Sequence, residues 1–452
     1  MKKYLLLLVF VGLSASQAAA QQLVELKLSD AITYALENNP NAKNARLELL
    51  ISKATIKETT ALGLPQINGS YNLDYNPKIP VVFLPNQPPF GDPSNPSDVI
   101  PARFGVSYSS GLGVNVSQMI FDGSFFVGLR AAKTLLDLTN KDLRKAELDV
   151  VENVKKSYLG VLVNQQRIRL AEANLARIDT LLKETSALHE AGFVERVDVS
   201  RVQVQRNNTY TQAQRSLTAL DVSMQILKLQ MGLPMDYEVI LTETLEELSP
   251  KEEALLLLGE EGAERVELEQ LSTQLTLAGL DLKNNHSQYI PKITFVGNAR
   301  RSGAGNELTT VFNSDNWFGS SLVGVSMSVP IFDGFSKAAR IQKNRVQINQ
   351  LENQRSFLKE SFINELYTAK ANLRNDLRIL DVQQENLALA TEVYQIARIK
   401  YKEGVGSNLE VVEADAALIQ AEINYLGAIY DGLISKVNLE KALGLLSPDL
   451  TN

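Results

Sequence analysis

The chain has 452 residues, with 45 Lys and Arg against 52 Asp and Glu, a formal charge of −7 at pH 7. An acidic chain without a long basic run is a poor nucleic-acid binder. It contains no cysteine and two histidines, His189 and His286, which excludes disulfides, thiol chemistry, a cysteine-linked lipid anchor and a His-rich metal site.

The chain opens as an exported protein. Lys2 and Lys3 precede an apolar run from Tyr4 to Leu13 and the small-residue site Ala18-Ala19-Ala20. That is the pattern of a secretory signal peptide over residues 1–20. The run is too short for a transmembrane helix, which needs about 20 residues.

One pattern then runs through the sequence twice, as repeat 1 over 21–245 and repeat 2 over 246–452. Leu64-Pro65-Gln66-Ile67 returns as Ile290-Pro291-Lys292-Ile293, and Ile120-Phe121-Asp122-Gly123 as Ile331-Phe332-Asp333-Gly334. His189-Glu190-Ala191-Gly192 matches Tyr401-Lys402-Glu403-Gly404, and Met231-Gly232-Leu233 matches Leu443-Gly444-Leu445. A copy of roughly 200 residues is too long for a solenoid unit. It is closer to a half-molecule.

Each repeat reads as a helix, two strands and a long helical hairpin. Strands are expected at about 66–76 and 107–119 in repeat 1 and at about 292–301 and 319–329 in repeat 2. Ile67, Gly69, Tyr71, Leu73 and Tyr75 alternate with Asn68, Ser70, Asn72 and Asp74, while Leu112, Val114 and Val116 alternate with Gly113, Asn115 and Ser117. Repeat 2 gives Ile293, Phe295, Gly297 and Ala299, then Val323, Val325, Met327 and Val329 alternating with Gly324, Ser326 and Ser328. One apolar face and one small, polar face over about ten residues suits a strand between lipid and a wet lumen. A two-sided sheet in a soluble domain alternates in the same way, but export without cysteine favours the membrane. Four strands do not close a barrel, and open edges are not tolerated in hydrocarbon, so spanning strands have to be pooled from several chains. Trp317, Phe318 and Tyr75 are candidates for an interfacial girdle.

The hairpins are expected at 123–232 and 334–444. No proline occurs from Ala102 to Leu233 or from Ile331 to Ser447, and such voids permit long helices, since an interior proline costs about 3 kcal/mol. Leu366, Leu373, Leu380 and Leu387 recur every seventh residue, and Val151, Val154, Tyr158 and Val161 follow the spacing of a narrow coiled-coil stripe. Runs of about 70 residues reach roughly 100 Å. Gly192 and Gly404 suit the left-handed residue that stops a helix. Ser407-Asn408-Leu409-Glu410 reads as a capping box. Asp122 and Asp333 read as N-caps.

Together with Leu28-Ser29-Asp30-Ala31-Ile32 and Ala35-Leu36-Glu37-Asn38-Asn39-Pro40, this ordered set resembles the TolC-like outer membrane efflux proteins over nearly the whole mature chain. The resemblance implies a mixed membrane α/β fold. A homotrimer would form a twelve-stranded outer-membrane β-barrel, four strands per chain, continued by a long α-helical coiled-coil periplasmic barrel. It implies location in the outer membrane of a Gram-negative bacterium, extending into the periplasm. The implied role is the exit duct of a tripartite efflux or type I secretion system. Its partners would be outer-membrane lipid, a periplasmic adaptor, and an inner-membrane transporter of the RND, ABC or MFS class. No cofactor is implied.

By the same resemblance, Tyr401, Glu410, Glu413 and Asp198 fall at the constriction that closes the tunnel. Glu410 and Glu413 share a helix face, so a threefold axis would repeat them as acidic rings. Glu410 also fits the capping box, and Glu413 also fits a solvated face. Ala191, Gly192, Phe193, Glu403, Gly404 and Val405 fall at the tips that meet the adaptor, where turn chemistry alone would also place glycine. Gly406 departs from the family, whose best-studied members carry an arginine there that helps lock the gate; Arg196 is the candidate substitute.

A coiled-coil envelope protein without a pore is the competing reading. Heptads and proline voids fit both readings, but the alternating strands and the long exported duplication fit the duct much better. The motifs G-x-S-x-G, H-E-x-x-H and G-x-x-x-x-G-K-[ST] are absent, so nothing points to an enzyme.

Overall fold

The structure, a computed structural model, describes residues 23–89, 91, 94, 97–245 and 251–447. The signal peptide expected at 1–20 lies outside the described residues. The first half runs β1 (Leu23–Leu26), α1 (Leu28–Asn38), α2 (Pro40–Ala61), β2 (Gln66–Tyr75), β3 (Val81–Pro85), β4 (Val99–Arg103), β5 (Tyr108–Phe121), α3 (Gly123–Glu190) and α4 (Arg196–Met231). The second runs β6 (Glu238–Leu241), α5 (Lys251–Leu257), α6 (Val266–Ser287), β7 (Lys292–Gly305), α7 (Leu308–Val311), β8 (Trp317–Ser328), α8 (Ser336–Lys402) and α9 (Asn408–Ala442). In the proline-free stretches α3 reaches 68 residues and α8 reaches 67. Two compact units arise, and each draws on both halves of the sequence. One holds the chain up to Leu47, Lys141–Glu269 and Ser356 onward; the other holds Glu48–Asn140 and Gln270–Arg355.

In the second of these units the strands form one antiparallel sheet in the order β2-β5-β7-β8. Register sorts the side chains by face. Ile67, Tyr71 and Tyr75 oppose Val116, Leu112 and Tyr108, and Phe295, Gly297 and Ile293 oppose Val325, Val323 and Met327, all on one face. The other face carries Asn68, Ser70, Asn72 and Asp74, then Asn115, Asn298, Arg300 and Ser320. The Asn115 and Asn298 side chains hydrogen-bond across it. Tyr75 stacks on Tyr108 with ring centroids 4.6 Å apart, and Trp317, opposite Gly303, lies on the same face. Phe318 opposes Ser302 and lies on the polar face instead. A separate ribbon pairs β3 with β4.

The two Phe-Asp-Gly segments differ in surroundings. In the first, a bulge at Ile120 brings Phe121 opposite Ile293. Asp122 then meets Lys292 at 2.8 Å and accepts the Ser124 amide at 2.8 Å, capping α3 as an N-cap should. In the second, the strand stops at Ser328 and Ile331 and Phe332 are 95% and 75% exposed. Gly334 and Phe335 both have φ of 65°, so the helix expected from 334 begins at Ser336. Asp333 accepts the Lys337 amide at 2.9 Å and pairs with its ammonium at 3.5 Å.

In the other unit, β1 lies parallel to β6, over a core built around the middle of α3. Val151, Val154, Tyr158 and Val161 are fully buried, and Val150, Leu159, Leu162 and Val163 are buried beside them. The narrow stripe expected here is therefore a broad face, because β1, β6, α1, α4 and α9 all supply side chains to this core. The Tyr158 hydroxyl donates to Glu243 at 2.8 Å, and the Leu28 amide donates to the same carboxylate oxygen at 2.7 Å. Farther along, Leu373 is fully buried on α8, with Leu366 and Leu387 partly buried in neighbouring clusters.

Candidate functional site at the hairpin tips

The α3–α4 and α8–α9 hairpins end in the same chain reversal. Gly192 has φ 79° and Gly404 has φ 73°, a conformation glycine adopts without steric cost. The Phe193 amide donates to the Leu188 carbonyl at 2.9 Å and Gly192 to His189 at 3.0 Å; Val405 donates to Lys400 at 3.0 Å and Gly404 to Tyr401 at 3.1 Å. This is the Schellman pattern. In that motif the residue after the glycine commonly packs back on its helix. Here Phe193 and Val405 are 79% and 78% exposed, and Ala191 and Glu403 flank them, also exposed.

Gly406 is held by space rather than by dihedral angle. Its amide joins Val405 in donating to the Lys400 carbonyl at 3.0 Å, and a Cβ placed on it would approach Lys400 Cβ to 2.9 Å. The turn thus closes too tightly for a side chain at this position. Arg196, the candidate substitute, is exposed at the first residue of α4.

The four constriction candidates fall into three environments. Tyr401 is buried among Val202, Tyr394, Ala397 and Val411, and its hydroxyl has no hydrogen-bond partner among the described residues. Asp198 is occupied locally, accepting from the Glu195 amide at 3.2 Å and from Arg201 at 2.9 Å. Glu410 and Glu413 are exposed on α9. Ser407 accepts the Glu410 amide at 3.2 Å, which is the N-cap half of the expected box; the Glu410 carboxylate returns no bond among the described residues. The same exposed stripe continues through Ala417, Gln420 and Asn424, a line of small and polar residues at helical spacing.

Behind the tips, α3 and α9 run antiparallel and meet through a polar ladder that the sequence reading missed. Asn408 donates to Thr185 at 3.4 Å, Arg177 to Asp415 at 2.7 Å, and Asn174 to Glu422 at 2.8 Å. Arg177 also reaches Glu422 at 3.5 Å and stands 5.2 Å from the centre of the Tyr394 ring. Burial pushes the Asp415 carboxyl above its usual range, with Arg177 pulling the other way. Asp415 Oδ2 and Arg177 Nη2 are both buried without a partner among the described residues, a costly arrangement in a low-dielectric seam. The signal was present: Asn408, Val411, Asp415 and Leu418 keep coiled-coil spacing, and polar residues on such a seam specify register.

The fold has counterparts in known proteins. The chain is 21% identical over 450 residues to the outer membrane efflux protein BepC of Brucella suis, covering 97% of this chain and 90% of the relative. It is 21% identical over 460 residues to the outer membrane protein TolC of Vibrio cholerae, covering 99% and 96%. Among solved structures, the open state of the Neisseria gonorrhoeae MtrE outer membrane channel matches with a TM-score of 0.72 at 18% identity, covering 94% of this chain and 91% of that one. The family model described as outer membrane efflux protein matches residues 31–229 and 257–445. The chain therefore belongs to the outer membrane efflux protein family: it is an outer-membrane exit duct that extends into the periplasm.

Proposed function

We propose that three copies of the chain assemble one passive duct, with a twelve-stranded barrel in the outer membrane and a helical tunnel in the periplasm. The observation that carries this is the sheet. It has one apolar and one polar face, and among the described residues β2 and β8 have no partner on their outer sides. Hydrocarbon does not accept open edges, and two different edges on one chain close into a ring of copies. Tyr75, Tyr108 and Trp317 share the apolar face near one end of the sheet, as interfacial aromatics do. Arg301 on that face reaches the Trp317 carbonyl at 3.4 Å, carrying its charge toward the rim.

The helices support the same assembly. Besides its buried stripe, α8 carries Ile379, Val382, Leu389, Val393 and Ile396 exposed at heptad spacing, and α4 carries Val197 and Val204. A helix with two apolar seams has two helical neighbours. The two sequence repeats, 21–245 and 246–452, would each supply half of a protomer's wall.

In this reading the polar stripe on α9 faces the lumen, and Glu410 and Glu413 form acidic rings near the tip, with Tyr401 and Asp198 close to the constriction. The tip residues Ala191, Gly192, Phe193, Glu403, Gly404 and Val405 are the docking points for a periplasmic adaptor, supported by the exposure of Phe193 and Val405. An inner-membrane pump supplies the energy, and the duct itself performs no catalysis. Native mass spectrometry in detergent and planar-bilayer recording test the proposal. A trimer with discrete conductance steps is expected; a water-soluble rod without conductance would overturn it.

A further inference from the structure

The chain contains a template for the seam that its own edges lack. β5, the second strand of repeat 1, pairs with β7, the first strand of repeat 2. β8 and β2 of a neighbouring copy stand in the same relation, second strand of one repeat to first strand of the other. The repeat correspondence holds residue by residue. Gln66 faces Ser117 in the β2–β5 hairpin, and their counterparts Lys292 and Ser328 face each other in β7–β8.

Carried across that correspondence, the β5–β7 register becomes a register for the open edges. Asn115 opposite Asn298 gives Ser326 opposite Asn72; Ser117 opposite Val296 gives Ser328 opposite Ser70; Phe121 opposite Ile293 gives Phe332 opposite Ile67. We infer that β8 of one copy pairs antiparallel with β2 of a second copy of this chain in this register. The inference rests on the trimeric duct proposed above and specifies its interface.

The faces agree with no adjustment. Val323, Val325 and Met327 meet Tyr75, Leu73 and Tyr71 on the apolar side, while Gly324, Ser326 and Ser328 meet Asp74, Asn72 and Ser70 on the polar side. A one-residue slip would put every apolar side chain against a polar one. A two-residue slip keeps the faces but leaves Phe332 without Ile67. The register also gives Ile331 and Phe332, 95% and 75% exposed in the single chain, the places that Ile120 and Phe121 occupy beside β7. Two contacts differ, the first because Pro330 stands where Met119 faces Thr294 and has no amide to donate. In the second, Lys292, which pairs with Asp122 at 2.8 Å, corresponds to Gln66, so the seam between copies lacks that ion pair and Asp333 turns to Lys337 of its own helix.

The native chain has no cysteine, so cross-linking reads the register without background. Opposed residues in antiparallel strands lie within disulfide reach. The full-length variant Ser326→Cys/Asn72→Cys, oxidised in native outer membranes, is expected to give a covalent trimer, because every copy offers one thiol to each of two seams. Ser328→Cys/Ser70→Cys is expected to do the same, protecting the test against failure of one variant to fold. The slipped pairs Ser326→Cys/Ser70→Cys and Ser326→Cys/Asp74→Cys are expected to cross-link at least tenfold less. Asn115→Cys/Asn298→Cys, within one chain, shows that the oxidant reaches the sheet. A slipped pair cross-linking as well as the matched pairs, or a trimer by native mass that neither matched pair cross-links, overturns the register while leaving the trimer standing. A monomer by native mass overturns the assembly itself, and the seam with it.

Discussion

Arg177 Nε on α3 lies 2.7 Å from Asp415 Oδ1 on α9, and the Asp415 side chain is 1% exposed. Removing one member of a buried pair leaves an uncompensated charge, at about 3–5 kcal/mol. Arg177→Ala is therefore expected to destabilise the protein by about that much, seen as an earlier thermal transition of the helical signal. Replacing both members, Arg177→Met with Asp415→Leu, should recover most of the loss, because hydrophobic isosteres of buried pairs are often neutral. A single variant as stable as the parent would refute the ladder as a constraint.

That ladder marks the limit of what the sequence displayed. Long helices followed from proline voids, and strand faces followed from alternation around Asn72 and Val114, because both depend on local patterns. The Arg177–Asp415 pair joins residues 238 apart in sequence, and only the fold brings them together. Two residues behaved differently from their motif. Phe318 sits one residue from Trp317 and so takes the other face, and Gly406 is explained by the closeness of Lys400, which no spacing rule reveals.

Glu152 accepts from Lys156 at 2.6 Å and meets Lys441 at 2.7 Å. Burial raises its carboxyl, but the two lysines more than offset this and hold it below the usual value of 4.5. A carboxyl depressed in the folded state binds fewer protons there than in the unfolded chain. Its contribution is present above about 4.5, the unfolded value, and is lost as pH falls through the folded one. Glu152→Gln should lower stability at neutral pH and flatten the acid limb of a denaturation profile. An unchanged acid limb would count against the pair.

Phe193 and Val405 bear almost no packing within the chain, so Phe193→Ser and Val405→Ser should leave stability within about 0.5 kcal/mol of the parent. If they anchor an adaptor, the double variant should still form trimers and conduct in bilayers while export in cells falls sharply. Normal export by this variant would remove the tips from the docking surface.

Gln66 occupies the place that Lys292 has beside Asp122. Gln66→Lys should supply the missing ion pair to Asp333 across the seam between copies. Such an exposed pair is screened by solvent and weak on its own, but the symmetry of the proposed trimer repeats it three times. A higher dissociation temperature of the trimer in detergent is expected, and Asp333→Asn added to Gln66→Lys should cancel the gain. A gain that survives Asp333→Asn would mean the new lysine acts elsewhere.

Glu410 and Glu413 lie exposed on one face of α9, and the Glu410 carboxylate is not consumed by its own helix cap. In a threefold duct they become six negative charges around a narrow passage. Such rings favour cations and bind divalent ones. Glu410→Gln/Glu413→Gln should shift the reversal potential toward lower cation preference under a salt gradient, and should weaken block by a divalent cation added from the tip side. Helix stability should barely change, since neither side chain is buried. Unaltered selectivity, with conductance otherwise intact, would place both residues outside the passage.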